Sequence, residues 1–406
     1  MDQIHSADLV ASCKDQLLAS TLTISPTALS GRGGETVKWR RRITLCILVV
    51  AAFACADRDA ELRQEPPTTP VFDDRDAGLR EEFRVASLAL ADQRLPGSKT
   101  AVKGRDGWIL HGGEVHYLNA GSYIGEHAPH ANRNAPPERA DPVPVIVDFH
   151  RQLQERGIEL YFVPVPVRST IYPESVLGPE PFAERKTIPN LHPPLHELLS
   201  ALRDSGVRVI DVTPTFLSQR EHSENGPVFV RSDTHWTPYG ISLASKMLAA
   251  EIKEKPWFKA VRKHRYHQQW ITETFKGVLY HEYERATGQV LEPDQVPMRR
   301  IMRETKNGLR NFGLHDPRSP VILIGDSNST RWSKFRSGLP QSLAFDLGFP
   351  VDVLSAAGGG ANETRLNLVR KIQAEPEYLE GKRVVIWCFS ARAFTNTRKG
   401  WIPMPL

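Results

Sequence analysis

The stretch "VILIGDSNST", residues 321–330, sets four aliphatic residues ahead of Gly-Asp-Ser. A short apolar run bounded by turn formers reads as a buried strand. Four more runs share the pattern: "ELYFVPVP" at 159–166, "VRVIDV" at 207–212, "FPVDVLS" at 349–355 and "KRVVIWCF" at 382–389. Between them lie stretches with helical spacing, at 142–157, 195–206, 237–254 and 361–373. Strands that are apolar on both faces need cover on both faces, and alternation with helices supplies it. The expected fold is α/β: a doubly wound, mainly parallel sheet with helices on both faces. Upstream, "GRDGWILHGG" at 104–113 reads as a strand with turn glycines.

The chain has 406 residues, enough for one large domain. Its 40% hydrophobic and 24% charged content are globular values. Formal net charge is +5, and part of it is local, with Lys14, Arg32, Lys38, Arg40, Arg41 and Arg42 near the start. The body shows no basic stripe with interleaved aromatics, so no nucleic-acid partner is expected. Mild positive charge suits a polyanionic substrate. Residues 255–318 break the strand–helix alternation. Polar, aromatic and charged, they read as an insertion near the site.

Near the N-terminus, Arg40 to Arg42 precede an apolar run from Ile43 to Ala56. At about 14 residues it falls short of the roughly 20 needed to span a bilayer. It fits the core of a signal peptide with Ala52-Phe53-Ala54 at the cleavage point; an uncleaved anchor is the main rival, and lipoprotein attachment at Cys55 a weaker one, since Ala52-Phe53-Ala54 is a poor lipobox. Residues 1–56 are therefore expected to be an N-terminal extension plus signal peptide or signal anchor. Residues 57–99 read as linker and lead-in. Val37 is a candidate true start. Only Cys388 falls in the mature body, inside an apolar strand, so no disulfide framework is expected.

Ser327 follows the 321–325 strand directly. In open α/β sheets, ligands bind outside the carboxyl ends of the strands, so a serine there is placed to be a nucleophile. Gly325 and Asp326 permit the tight turn that would expose it. The same serine also reads as a helix N-cap. A second stretch, "RSDTHWTPYG" at 231–240, bears on the choice. A serine hydroxyl needs an adjacent base, usually His, with an Asp to fix the imidazole. Asp233 and His235 are two apart, so in extended backbone they leave one face. Trp236 would pack beside the imidazole and keep out water. Metal ligation has little support: Pro193 and Pro194 interrupt His192–His196, and His281-Glu282 lacks a second His. "SAAGGGANETR" at 355–365 brings glycines and Asn362 to a strand–helix junction. Backbone amides there, with Asn362, suit an oxyanion, or they form a tight turn with Asn362 as a cap.

Together, "DGWIL", "VPVPVRSTIYP", "DTHWTPYG", "GDSNS" and "VVIWCFSARAF" resemble the SGNH-hydrolase-like acetyltransferases of the AlgJ/AlgX type. Asp and His precede Ser here, as in that family. The resemblance runs over most of 100–395 and makes 100–406 an SGNH-like acetyltransferase domain. It implies Ser327 as nucleophile, His235 as base and Asp233 as its orienter, with Gly359, Asn362, Arg168 and Trp236 as candidates for oxyanion or substrate contacts. Three positions depart from the pattern. Cys388 stands after Trp387 where an acidic residue is expected, "FKGVLYH" lacks the usual acid after its Gly, and no carbohydrate-binding module follows, which places the chain nearer AlgJ than AlgX.

The expected chemistry is acetyl transfer through an acetyl-serine onto hydroxyls of an exopolysaccharide, alginate or a related polymer, in the periplasm. No nucleotide or CoA fingerprint is visible, so no cofactor is expected. The resemblance implies a membrane-bound O-acyltransferase as acetyl supplier and a possible inner-membrane tether. The rivals are a carbohydrate esterase of the same fold and a non-catalytic polysaccharide-binding scaffold.

Overall fold

A row of apolar residues with no polar break needs burial on two sides, and the central strands of this chain obtain it. The computed structural model describes residues 72–222 and 224–406. The expected signal peptide or anchor lies outside the described residues. Among them, no helix is long and apolar enough to cross a membrane.

In chain order, α1 (Ala77–Ala89) leads to a hairpin of β1 (Ala101–Lys103) and β2 (Ile109–His111), then α2 (Gly112–Leu118) and α3 (Val143–Gln154). The strand β3 (Glu159–Val165) is followed by α4 (Pro193–Asp204) and a short β4 (Arg208–Val209). A small pair, β5 (Glu221–His222) and β6 (Gly226–Pro227), comes before α5 (Pro238–Lys253). The stretch 255–318 contains β7 (Tyr266–Phe275), α6 (Val278–Thr287), β8 (Asp294–Thr305) and β9 (Gly308–Arg310). The chain then makes β10 (Val321–Gly325), α7 (Ser327–Thr330), α8 (Leu339–Leu347), β11 (Asp352–Ser355), α9 (Gly360–Ala374) and β12 (Val384–Ser390).

Five strands form one sheet in the order β11-β10-β12-β3-β4, and every pairing in it is parallel. All residues of β10 are buried, as are six of the seven in β12. The α/β expectation with a mainly parallel sheet therefore holds. At the centre, Trp387 of β12 meets Phe149 of α3 and Phe162 of β3 edge-on, each at 5.3 Å. Its indole N–H donates to Thr364 Oγ1 of α9 at 3.0 Å. One tryptophan thus joins two helices to two strands, a packing whose loss on truncation typically costs about 3–5 kcal/mol.

Local chemistry sets the helix starts. Pro193 and Pro194 occupy the first turn of α4, where a missing N–H does no harm. Thr237 caps α5 by accepting from the Gly240 N–H at 3.2 Å, with Pro238 next. Two segments differ from expectation. The lead-in is helical over α1, with Phe83 buried. The 255–318 stretch is a three-stranded antiparallel meander, β7-β8-β9, with α6 between its first two strands.

At the amino end of the sheet, away from Ser327, a buried charge group joins β11 to β12. Lys382 Nζ donates to the carbonyls of Pro317 (2.7 Å) and Ser319 (2.9 Å) and to Asp352 Oδ2 (3.2 Å). Tyr378 donates to the same oxygen at 2.7 Å, and His315 meets the other at 2.7 Å. Burial raises the Asp352 carboxyl, but Tyr378, Lys382 and His315 outweigh it and hold it below its usual range. Both side chains are fully buried, so removing one partner strands the other. Lys382→Met should cost roughly 3–5 kcal/mol, and adding Asp352→Asn should restore a good part of that. Urea midpoints read both, and a double variant as weak as the single one would refute the coupling.

Candidate active site

The turn that carries Ser327 is built on close approach. A Cβ on Gly325 would lie 2.1 Å from the Cys388 carbonyl oxygen and 2.6 Å from Ser329 Cβ, so only glycine fits. Asp326, not Ser327, caps α7. Its Oδ1 accepts from the Asn328 N–H at 2.8 Å, and its Oδ2 accepts from the Ser390 N–H at 3.0 Å. The cap therefore pins the turn to the carboxyl end of β12 and leaves the Ser327 side chain uncommitted to capping.

Ser327 Oγ lies 2.9 Å from His235 Nε2, and His235 Nδ1 lies 2.6 Å from Asp233 Oδ1. The Asp233 side chain is 2% exposed and that of His235 15%. Ser327, His235 and Asp233 are thus one hydrogen-bonded chain. Asp233 and His235 do not sit on a strand as the spacing suggested. Residues 231–235 are turns and bends, and the closed loop itself brings the two side chains together. The Thr234 N–H donates to Asp233 Oδ1 at 2.7 Å, which helps fix the carboxylate.

Arg331 was not singled out in the sequence. Its Nη2 donates to Asp233 Oδ2 at 2.8 Å, so the carboxylate has His235 on one oxygen and a guanidinium on the other. Arg331 stands four residues after Ser327, and the Arg331 N–H closes on the Ser327 carbonyl at 2.8 Å. Burial pushes the Asp233 carboxyl up, but the hydrogen bond and charge of His235, the Arg331 charge and the Thr234 N–H together bring it down to about 2.

The four secondary candidates have other tasks. Arg168 is fully buried and touches no open site. Its Nη1 donates to the carbonyls of Val230, Arg231 and Asp233, and its Nη2 to Ile109 O and Glu114 Oε2. It ties the 230–233 loop to β2 and stacks on Trp108 at 5.1 Å. Trp236 is also fully buried, and its indole N–H donates to Asn328 O at 3.0 Å. In return, the Trp332 indole N–H donates to Trp236 O at 2.7 Å. Both residues shape the site from behind. Asn362 donates its amide N–H to Gly400 O at 2.7 Å and accepts from Arg365 at 2.8 Å, so it anchors the C-terminal segment. The Gly359 N–H closes a turn onto Ala356 O at 2.9 Å. The Gly359 N–H is thus spent on a turn, and Asn362 is held to the C-terminal segment rather than to the Ser327 turn.

The meander reaches the same loop. Gly277 N–H donates to Ser232 Oγ at 2.8 Å, and Asp294 Oδ2 accepts from the Ser232 N–H at 2.9 Å. A Cβ on Gly277 would lie 2.2 Å from Ser232 O, so the loop demands glycine beside it. The glycine was visible in "FKGVLYH", but its partner was not. Among the described residues, no group of three His, Cys, Asp or Glu is placed to hold a metal ion.

Comparison with known proteins follows this geometry. The chain is 26% identical over 309 residues to a probable alginate O-acetylase AlgJ of Pseudomonas aeruginosa, covering 73% of this chain and 71% of that protein. It is also 26% identical over 256 residues to the Pseudomonas fluorescens counterpart, spanning 61% of this chain and 60% of that one, less than two thirds of its length. Its fold is similar to that of the O-acetyltransferase domain of Pseudomonas putida AlgJ, with a TM-score of 0.53 at 20% identity, over 73% of this chain and 92% of that domain. The model of the SGNH hydrolase-like domain, acetyltransferase AlgX, matches residues 101–391, well over half of the chain, and the chain belongs to that family.

Proposed function

We propose that the chain is a polysaccharide O-acetyltransferase working through an acetyl-Ser327 intermediate. The observation that carries this reading is the continuous Ser327–His235–Asp233 hydrogen-bonded chain at the carboxyl end of β10. Family membership and the AlgJ relatives support acetyl transfer as the chemistry. The AlgJ relatives are probable alginate O-acetylases, which makes alginate, or a polymer like it, the acceptor to test first.

Ser327 Oγ attacks the acetyl carbonyl of the donor while its proton passes to His235 Nε2. The carbonyl oxygen becomes an oxyanion. The Ser327 N–H opens a helical turn, where the first amides have no intrahelical acceptor, and is a candidate donor to it. The leaving group departs with the proton from His235, and acetyl-Ser327 remains. A sugar hydroxyl then gives its proton to His235, attacks the ester and leaves as the acetylated sugar, with Ser327 restored. Asp233 stays ionised throughout. It holds the imidazole tautomer and stabilises the imidazolium formed in each half. Arg331 limits how much negative charge His235 feels.

Export to the periplasm, by a cleaved leader or an anchor at 43–56, belongs to the same reading. So does a membrane-bound O-acyltransferase that delivers the acetyl group. The esterase alternative differs only in what discharges the intermediate, since the first half-reaction is common to both.

Intact-protein mass spectrometry after incubation with an activated acetyl ester should show one acetyl adduct on the wild type and none on Ser327→Ala. Faster discharge by an oligosaccharide than by water marks a transferase, and discharge by water alone marks an esterase. Asp233→Asn should lower the acylation rate by on the order of 10⁴. Arg331→Met should leave that chain intact but remove a cation from Asp233 Oδ2. Asp233 then keeps His235 and the Thr234 N–H but loses a charge partner, so its carboxyl should rise from about 2, while the acylation rate should stay within about tenfold of wild type, far above that of Asp233→Asn. A loss as deep as that of Asp233→Asn would make Arg331 essential to the placing of Asp233.

A further inference from the structure

The charge of this protein is not spread evenly. Residues 255–318 hold thirteen Lys and Arg against seven Asp and Glu, a surplus of six where the whole chain has +5. No stripe was visible in the sequence because the cations come from separated segments. The fold gathers them at the end of the meander remote from Ser232. Arg262, Lys263 and Arg265 lead into β7. Arg303 pairs with Tyr266 across β7–β8, and Arg310 pairs with Arg303 across β8–β9. Lys306 lies in the turn between those last two strands, and Arg318 stands just beyond.

Few acids answer them. Glu304 lies 3.9 Å from Arg265, and Asp316 lies 3.5 Å from Arg318. Among the described residues, no carboxylate pairs with Arg262, Lys306 or Arg310, and all three are exposed. The ring of His264 records the crowding. Burial first, then Arg303, Arg262 and Arg318, disfavour its protonated form against Asp316 alone. Like charges held together without partners destabilise a fold unless a ligand of opposite sign compensates.

Flat apolar surface accompanies the charge. Tyr266 and Phe312 meet edge-on at 5.1 Å beside the cations, and Trp270, midway along β7, is 37% exposed. At the other end of β7, Gly277 touches Ser232, next to Asp233. The ten residues of β7 span roughly 30 Å at about 3.3 Å each. Basic surface and candidate active site are therefore the two ends of one rigid strand.

We propose that the basic end of the meander is a docking surface for an acidic polysaccharide, a chain bearing a carboxylate on its sugar rings, held at a distance from the Ser327 site that acts on it. The proposal rests on the reading of a polysaccharide acceptor. It adds the place where that polymer is held. Long-range attraction raises the local concentration of polyanion near the site and weakens with salt. A disaccharide is too short to touch both ends of the strand, so it gains nothing from the docking surface.

The test compares the full chain with the triple variant Arg262→Glu, Lys306→Glu, Arg310→Glu, after thermal melts confirm equal folding. Polyuronate of high degree of polymerisation serves as probe, with a uronate disaccharide and dextran alongside. The variant's Kd for the long polyuronate should weaken roughly tenfold or more, and wild-type binding should fall as salt rises. Acetyl-enzyme formation and transfer to the disaccharide should be unchanged. Unaltered polyuronate binding in the variant would overturn the proposal. Equal binding of dextran would do the same, as would tighter wild-type binding of an oligonucleotide of matched charge. Charge-dependent polyuronate binding without any acetyl-enzyme would leave the docking surface standing and remove the catalytic reading.

Discussion

Arg168 is the constraint on which the site rests. A fully buried guanidinium is costly unless its donors are answered, and the two terminal nitrogens of this one are answered mainly by backbone carbonyls rather than by an acid, while its Nε has no partner. Its one carboxylate partner, Glu114, is 3.4 Å away. Three of its acceptors, at Val230, Arg231 and Asp233, are consecutive or nearly so, and they can all point at one cation only if the loop bends sharply. That bend, not strand pleating, puts Asp233 and His235 side by side. Trp108 stacks on Arg168 and closes the pocket, so the upstream hairpin matters to residues far along the chain. Lysine would supply charge here but not the fork that collects carbonyls from two segments.

A second set of contacts sets the Ser327 turn against that loop. Trp236 donates to Asn328 O, Trp332 donates to Trp236 O, and Arg331 donates to Asp233. All three run between residues 233–236 and 328–332. They are side-chain bonds in a largely buried region, where an unmade bond is expensive. The hydroxyl-to-imidazole distance is therefore fixed by bonds other than its own. Such a device holds Ser327 and His235 in register without spending the hydroxyl on the framework.

Much of this was legible in residue order. The all-apolar strands announced a parallel sheet, and Gly-Asp-Ser after one of them placed Ser327 at its carboxyl end. Asp-Thr-His-Trp supplied partners of the right chemistry. The errors came where one residue type serves two purposes. Asn362 and Gly359 have the chemistry of oxyanion donors, but Gly400 and Ala356 take their hydrogen bonds. Arg168 was a candidate for substrate contact through the resemblance alone, and only the carbonyls gathered around it in three dimensions show its other task. Arg331 was passed over because nothing local marks an arginine four residues past a serine as the partner of an aspartate 98 residues earlier. The meander was missed for a similar reason. Its strand β7 is mostly exposed and lacks clean alternation, so its pairing with β8 decides its structure rather than its own pattern.

The meander is more than a decoration between two halves of a site. Ser232 is held on three sides by it: the Gly277 N–H on its hydroxyl, Asp294 on its N–H, and the Leu279 N–H on its carbonyl at 3.2 Å. The next residue is Asp233. Phe275, at the end of β7, packs edge-on against Trp332 at 4.8 Å and lies beneath Arg331 at 5.2 Å. One end of the strand pair thus grips both the Asp-His loop and the segment that follows Ser327. The ladder between β7 and β8 is continuous over ten pairs, so the two strands meet those contacts as one paired unit rather than as separate loops.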